Sequence, residues 1–100
     1  VPWERDQQSA FARGYTKAWA KASKAFRVRY PRCGMRPNGV RPVMSHCFDI
    51  GQHTPAALVD HVVPHGGDKA LFWDEANWQS MCVPCHLWKT AAEKRRREAH

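Results

Sequence analysis

Residues 81–86 read Met-Cys-Val-Pro-Cys-His, and this stretch limits the chain more than any other. In 100 residues a core buries little apolar surface, so domains of this size lean on a metal or on disulfides. Cys82 and Cys85 form a C-x-x-C pair that presents two sulfurs to one ion, and Pro84 suits the first turn of a helix. With His86 appended, the same run is also the attachment pattern of a c-type haem, with Met35, Met44 or Met81 as a sixth ligand. The haem reading leaves Cys33 and Cys47 without a task. Two disulfides would use all four thiols, but a C-x-x-C pair is poorly spaced for two separate bridges. Four thiolates closing a tetrahedral zinc site use every cysteine. Such a site would also order residues 31–56, where Pro and Gly recur and little regular structure is expected.

The net charge is +7 and unevenly spread. Residues 1–41 hold ten Lys/Arg against Glu4 and Asp6, a net of +8. Residues 42–88 carry −4, and residues 89–100 carry +3. Two basic ends around a His- and Cys-rich middle suit a polyanion-binding frame about a metal centre, or a merely solvated basic surface. Residues 4–27 read as one helix. Phe11, Tyr15, Ala18, Trp19, Ala22 and Phe26 recur on one side. Arg13, Lys17, Lys21, Lys24 and Arg27 fall in a sector of roughly 120° on the other. No apolar run is long enough to span a membrane. No signal peptide is legible, although the opening at Val1 leaves room for a trimmed leader.

Residues 57–63, Ala-Leu-Val-Asp-His-Val-Val, predict a short strand ended by Pro64. Residues 77–81 predict a second strand paired back on it across a long loop. Residues from Pro84 onward predict a helix. Adjacent strand residues point to opposite faces, so Asp60 and His61 cannot both face solvent if one face is packed. An edge strand with polar residues is the plain reading, and a site is the sharper one. A carboxylate and an imidazole, Asp60 and His86, can share one divalent ion and leave positions open for water and substrate. His61 has the ordinary pKa of a general base, near about 6.5. Asn77 can hydrogen-bond in both directions and hold a loop. Trp73, Trp78 and Trp88 are expected in the core.

The ordered run VDHVVPH…GD…LFWD…NWQSMCVPCHLWKT resembles the HNH endonucleases, in particular the small phage-type group. RGYTKAW (13–19) is similar to the lead-in helix of those proteins, and the resemblance spans about residues 13–92. It implies a small α+β, ββα-metal fold on a treble-clef-like zinc scaffold, as one domain over 1–100. Within it, a basic helix would cover 1–30, a knuckle loop 31–56 and the catalytic core 57–95. By the resemblance Asp60 and His86 ligate one catalytic divalent ion (Mg2+, Mn2+, Ni2+ or Zn2+), His61 activates water and Asn77 orients the His61 loop. Cys33, Cys47, Cys82 and Cys85 bind structural zinc. Arg36 stands where a short first knuckle would place its second cysteine. Residues 34–46 are therefore read as containing an insertion, with Cys47 the displaced ligand and His46 or His53 the alternatives. Thr90 stands where some HNH nucleases carry a further His ligand.

The activity so implied is hydrolysis of double-stranded DNA by a monomer in the host cytoplasm, with phage terminase and portal proteins as partners by analogy. Arg13, Lys17, Lys21, Lys24, Arg27, Arg95, Arg96 and Arg97 would grip phosphates, with His65 and Lys89 either as further contacts or as a turn residue and a solvated helix residue. A zinc module that binds DNA or protein without catalysis is the competing reading.

Overall fold

The computed structural model describes residues 17–98. Helix α1 covers 17–29. The earlier part of the expected helix, with Arg13, lies outside the described residues. A 3-10 turn (Pro37–Gly39) and the one-turn helix α2 (His46–Asp49) interrupt an otherwise irregular loop. Strand β1 (Leu58–His61) pairs antiparallel with β2 (Trp78–Met81), and helix α4 (Val83–Glu98) closes the chain. The long hairpin loop holds the short helix α3 (Lys69–Phe72) and a 3-10 turn (Glu75–Asn77), a region whose residues 70–73 have no clear pattern in the sequence. Asp68 caps the first by accepting from Leu71 N, and Asp74 caps the second by accepting from Ala76 N. The architecture is small α+β.

The hairpin register decides what each face does. Leu58 pairs with Met81 and Asp60 with Gln79, while Val59 pairs with Ser80 and His61 with Trp78. Alternation then sends Leu58, Asp60, Gln79 and Met81 to one face and Val59, His61, Trp78 and Ser80 to the other. On the His61 face, Val59 and Trp78 bury against Phe26, with Trp19, Ala22, Tyr30 and Trp73 packed around them. This cluster seats the apolar side of α1. On the Asp60 face, Met81 and Leu58 meet the four cysteines. Every residue of β2 is buried, because elements cover both of its faces.

The loop after α1 is tied to the outer edge of β2. Gly34 N donates to Ser80 O at 2.7 Å, and Ser80 N donates to Met35 O at 3.0 Å. Ser80 Oγ donates to Tyr30 O at 2.6 Å. Gly34 has φ +94°, and a Cβ there would lie 2.8 Å from Phe48 Cβ, so only glycine fits the approach. Arg36 donates to Arg41 O at 3.0 Å and to Ala76 O at 2.9 Å, so it braces the loop.

One expectation about packing is corrected. Trp88 is not in the core. It is 45% exposed on α4, with His46 edge-on at 6.5 Å. Among the described residues no helix is long and apolar enough to cross a membrane.

Candidate active site and metal centres

The four cysteines come together from three places. Cys33 leaves the loop after α1, Cys47 lies in α2, and Cys82 and Cys85 straddle the start of α4. All four are buried, and their sulfurs lie within 4.8 Å of one another. Cys47 Sγ is 3.8 Å from both Cys82 Sγ and Cys85 Sγ. A tetrahedron of Zn–S bonds of about 2.3 Å has edges of about 3.8 Å, so the cluster has the size of a thiolate zinc site. A disulfide would bring two sulfurs to about 2.05 Å, and none is formed. Cys47, rather than His46 or His53, stands with the other three. Burial pushes the Cys82 thiol up to about 12 and raises Cys33 as well. Burial would also raise Cys85, but hydrogen bonds from the backbone of Cys47 and His46 and from neighbouring thiols bring it down. A cation among these sulfurs would be needed to hold all four as thiolates.

One residue past Cys85, the chemistry changes. His86 Nδ1 is buried, has no hydrogen-bond partner, and lies 3.2 Å from Asp60 Oδ1. With Nδ1 unprotonated, the pair would offer an oxygen and a nitrogen donor to one point. That arrangement fits a shared divalent ion. Asp60 itself is 7% exposed. Its Oδ2 accepts from Gln79 Nε2 at 3.1 Å and pairs with Lys89 Nζ at 3.1 Å.

His61 points to the other face of the hairpin. Its ring stacks on Trp19 of α1, with centroids 5.1 Å apart and planes at 20°. Nε2 lies 2.9 Å from Phe72 O. With the proton on Nε2 for that bond, Nδ1 carries the lone pair. Burial holds the pKa of His61 below its ordinary 6.5, only partly offset by the Phe72 carbonyl. The neutral ring is therefore the dominant form at pH 7. His65 sits edge-on to His61 at 5.1 Å, and its Nδ1 accepts from Gly67 N at 3.0 Å. Asn77 is buried and clamps the residue two beyond His61. Its Oδ1 accepts from Val63 N and its Nδ2 donates to Val63 O, both at 2.9 Å. Asn77 O accepts from Val62 N at 2.7 Å.

The described lysines and arginines expected to meet DNA fall into three groups. Lys17, Lys21 and Lys24 are exposed along α1, and Arg27 is half-buried. Arg95, Arg96 and Arg97 are exposed on the last turn of α4. Arg96 and Arg97 line a groove with Pro64 and Glu93. Lys89 meets neither expectation, a phosphate contact or a solvated helix residue. It is 1% exposed, and its ammonium is held by His61 O, Asp60 and Glu93.

Four residues at the site escaped the sequence reading of function. Gln79 is fully buried and joins Asp60 to the knuckle loop, donating to Val43 O at 2.9 Å and accepting from Val43 N at 2.8 Å. Its hairpin partner is Asp60, which was the available signal. Trp19 was legible as an apolar helix position but not as the platform of His61. Glu93 lies two turns beyond His86 on the same side of α4, a spacing that could have marked it. Ser45 Oγ, 3.2 Å from Cys33 Sγ, also caps α2 by accepting from Phe48 N.

No family model matches the sequence, and no curated protein does. Among solved structures the chain is similar to the HNH endonuclease of the deep-sea thermophilic bacteriophage GVE2, crystallised with manganese ion. The two are 28% identical, with a TM-score of 0.66 over 95% of each chain. The likeness carried by the sequence motifs is thus a likeness of the whole fold to a phage HNH endonuclease. It supports a nuclease function.

Proposed function

We propose that this HNH-type chain is a divalent-metal-dependent endonuclease that hydrolyses DNA phosphodiester bonds. The observation that carries the reading is the convergence of Asp60 Oδ1 and the unbonded His86 Nδ1 at 3.2 Å, one residue from a neutral His61. That the similar phage endonuclease was crystallised with manganese ion supports a divalent ion in this reading. Mg2+, Mn2+, Ni2+ and Zn2+ all suit a mixed carboxylate and imidazole shell.

In this reading Asp60 and His86 hold the ion, which supplies charge stabilisation to the phosphate and to the leaving oxygen. His61 takes the proton of the attacking water at Nδ1, because Nε2 is committed to Phe72 O. Trp19 and Phe72 pack against the ring and orient it. Asn77 fixes the backbone at Val63 and so the exit of the strand that bears the base. Cys33, Cys47, Cys82 and Cys85 hold structural zinc and place His86 one residue from a rigid knuckle. Lys17, Lys21, Lys24, Arg27, Arg95, Arg96 and Arg97, with Arg13 and His65, bind phosphates of double-stranded DNA without reading bases. A monomer acting in a phage-infected cytoplasm beside terminase and portal proteins completes the proposal, by analogy with the phage-type group.

The test is supercoiled plasmid incubated with the zinc-loaded protein and a series of divalent ions, beside His61→Ala. Ion-dependent nicking that His61→Ala loses is the expected result. Folded, zinc-loaded protein that binds DNA but nicks with no ion would overturn the proposal in favour of a non-catalytic zinc module.

A further inference from the structure

Among the described residues, Lys89 is the only Lys or Arg that is buried. Burying an ammonium is costly, and an apolar side chain of similar volume often serves packing as well or better. The charge therefore calls for a reason at this position. An ammonium has three protons to give. Three acceptors surround Nζ: His61 O at 3.0 Å, Asp60 Oδ2 at 3.1 Å and Glu93 Oε1 at 2.5 Å. None is left over for a DNA phosphate.

Two consequences follow for the neighbouring centre. Lys89 and Gln79 together engage Asp60 Oδ2, so the oxygen left beside His86 is Oδ1. Asp60 is thereby limited to one-oxygen ligation. A fixed positive charge also stands on the far side of the same carboxylate from any ion that Asp60 and His86 hold. Like charges a few ångströms apart repel strongly in a partly buried site. Glu93 compensates part of that charge.

We propose that Lys89 is a positioning residue of the metal centre, which holds Asp60 to one-oxygen ligation and lowers the affinity of the site for divalent ions, leaving the ion exchangeable. The inference rests on the Asp60–His86 reading above. It assigns Lys89 a task toward the ion rather than toward DNA.

The experiment is calorimetric titration of Mn2+ into the zinc-loaded full chain, for wild type, Asp60→Asn, Lys89→Met and Glu93→Gln. Mn2+ prefers oxygen and nitrogen donors and leaves a thiolate site alone. Lys89→Met is expected to bind Mn2+ at least about tenfold more tightly than wild type, a small part of the full Coulomb repulsion removed. Glu93→Gln, which leaves Lys89 less compensated, is expected to bind it at least about threefold more weakly. Asp60→Asn is expected to lose the Mn2+ binding that these changes shift. A merely structural lysine would lower the melting temperature of Lys89→Met without tightening Mn2+ binding, and equal or weaker binding overturns the inference. If Lys89→Met does not fold, Glu93→Gln decides alone, and unchanged or tighter binding there overturns it. Wild type with no Asp60-dependent Mn2+ binding overturns this inference and the metal reading beneath it together. Asp60-dependent binding in wild type, with neither variant moving as stated, overturns the inference alone.

Discussion

The two donor sets that flank residues 82–86 differ in every respect that matters for an ion. The four thiols are buried and converge within 4.8 Å, so four sulfurs can complete one tetrahedral shell. Asp60 and His86 supply one oxygen and one nitrogen, and a third of the His86 side chain is exposed. Lys89 adds opposing charge to the second set. A closed set suits an ion that never leaves, and an open set suits one that meets water and substrate. Yet one helix start serves both, because Cys85 and His86 are consecutive and point about 100° apart around α4.

The largest expected effect separates the two centres by stability. Structural zinc contributes about 10–16 kcal/mol in small domains, so a strong chelator or Cys85→Ser should abolish the cooperative thermal transition. A chain that melts unchanged after complete zinc removal would erase the contrast. Next, His61→Ala should reduce plasmid nicking by roughly 10²–10⁴-fold while zinc content and melting stay near wild type. A parallel loss of zinc would mean that the two regions are not separable. Asn77→Ala removes two hydrogen bonds to Val63 and should cost about 1–3 kcal/mol in denaturant titration, with a fall in nicking and intact zinc. Stability equal to wild type would deny Asn77 its clamp. The smallest effect on either centre should come from Lys17, Lys21 and Lys24 together changed to Gln. The slope of log affinity for duplex DNA against log salt should flatten by about 0.9 for each phosphate that is no longer neutralised. An unchanged slope would show that α1 faces away from DNA.

Much of this contrast was legible in the chain. The C-x-x-C spacing, the Pro at 84 and the aliphatic run at 57–63 each follow a local rule, and β1, β2 and α4 form where those rules put them, to within one or two residues. The gathering of Cys47 with Cys33 was expected from chemistry, since a soft ion wants a fourth sulfur. Lys89 was illegible for a physical reason. In a segment of strong helix formers a lysine reads as solvated, and its burial depends on acceptors at Asp60 and His61, far away in sequence. Trp88 misleads in the opposite sense, because aromatic character predicts burial while α4 turns that position outward. Trp19 shows the middle case: its helical spacing gives the buried side of α1 but not the imidazole stacked on it.

Gln79 ties these regions in a way that bears on how such chains can be recombined. Its single amide grips both Val43, inside the knuckle loop, and Asp60, the carboxylate of the open centre. The loop looks like an ornament that a shorter version could replace. A shortened loop without Val43 would strip the amide of its backbone partners and leave a buried polar group free to reorient, with the carboxylate beside it. Chimeras of such proteins should therefore exchange the loop and the second strand as one cassette.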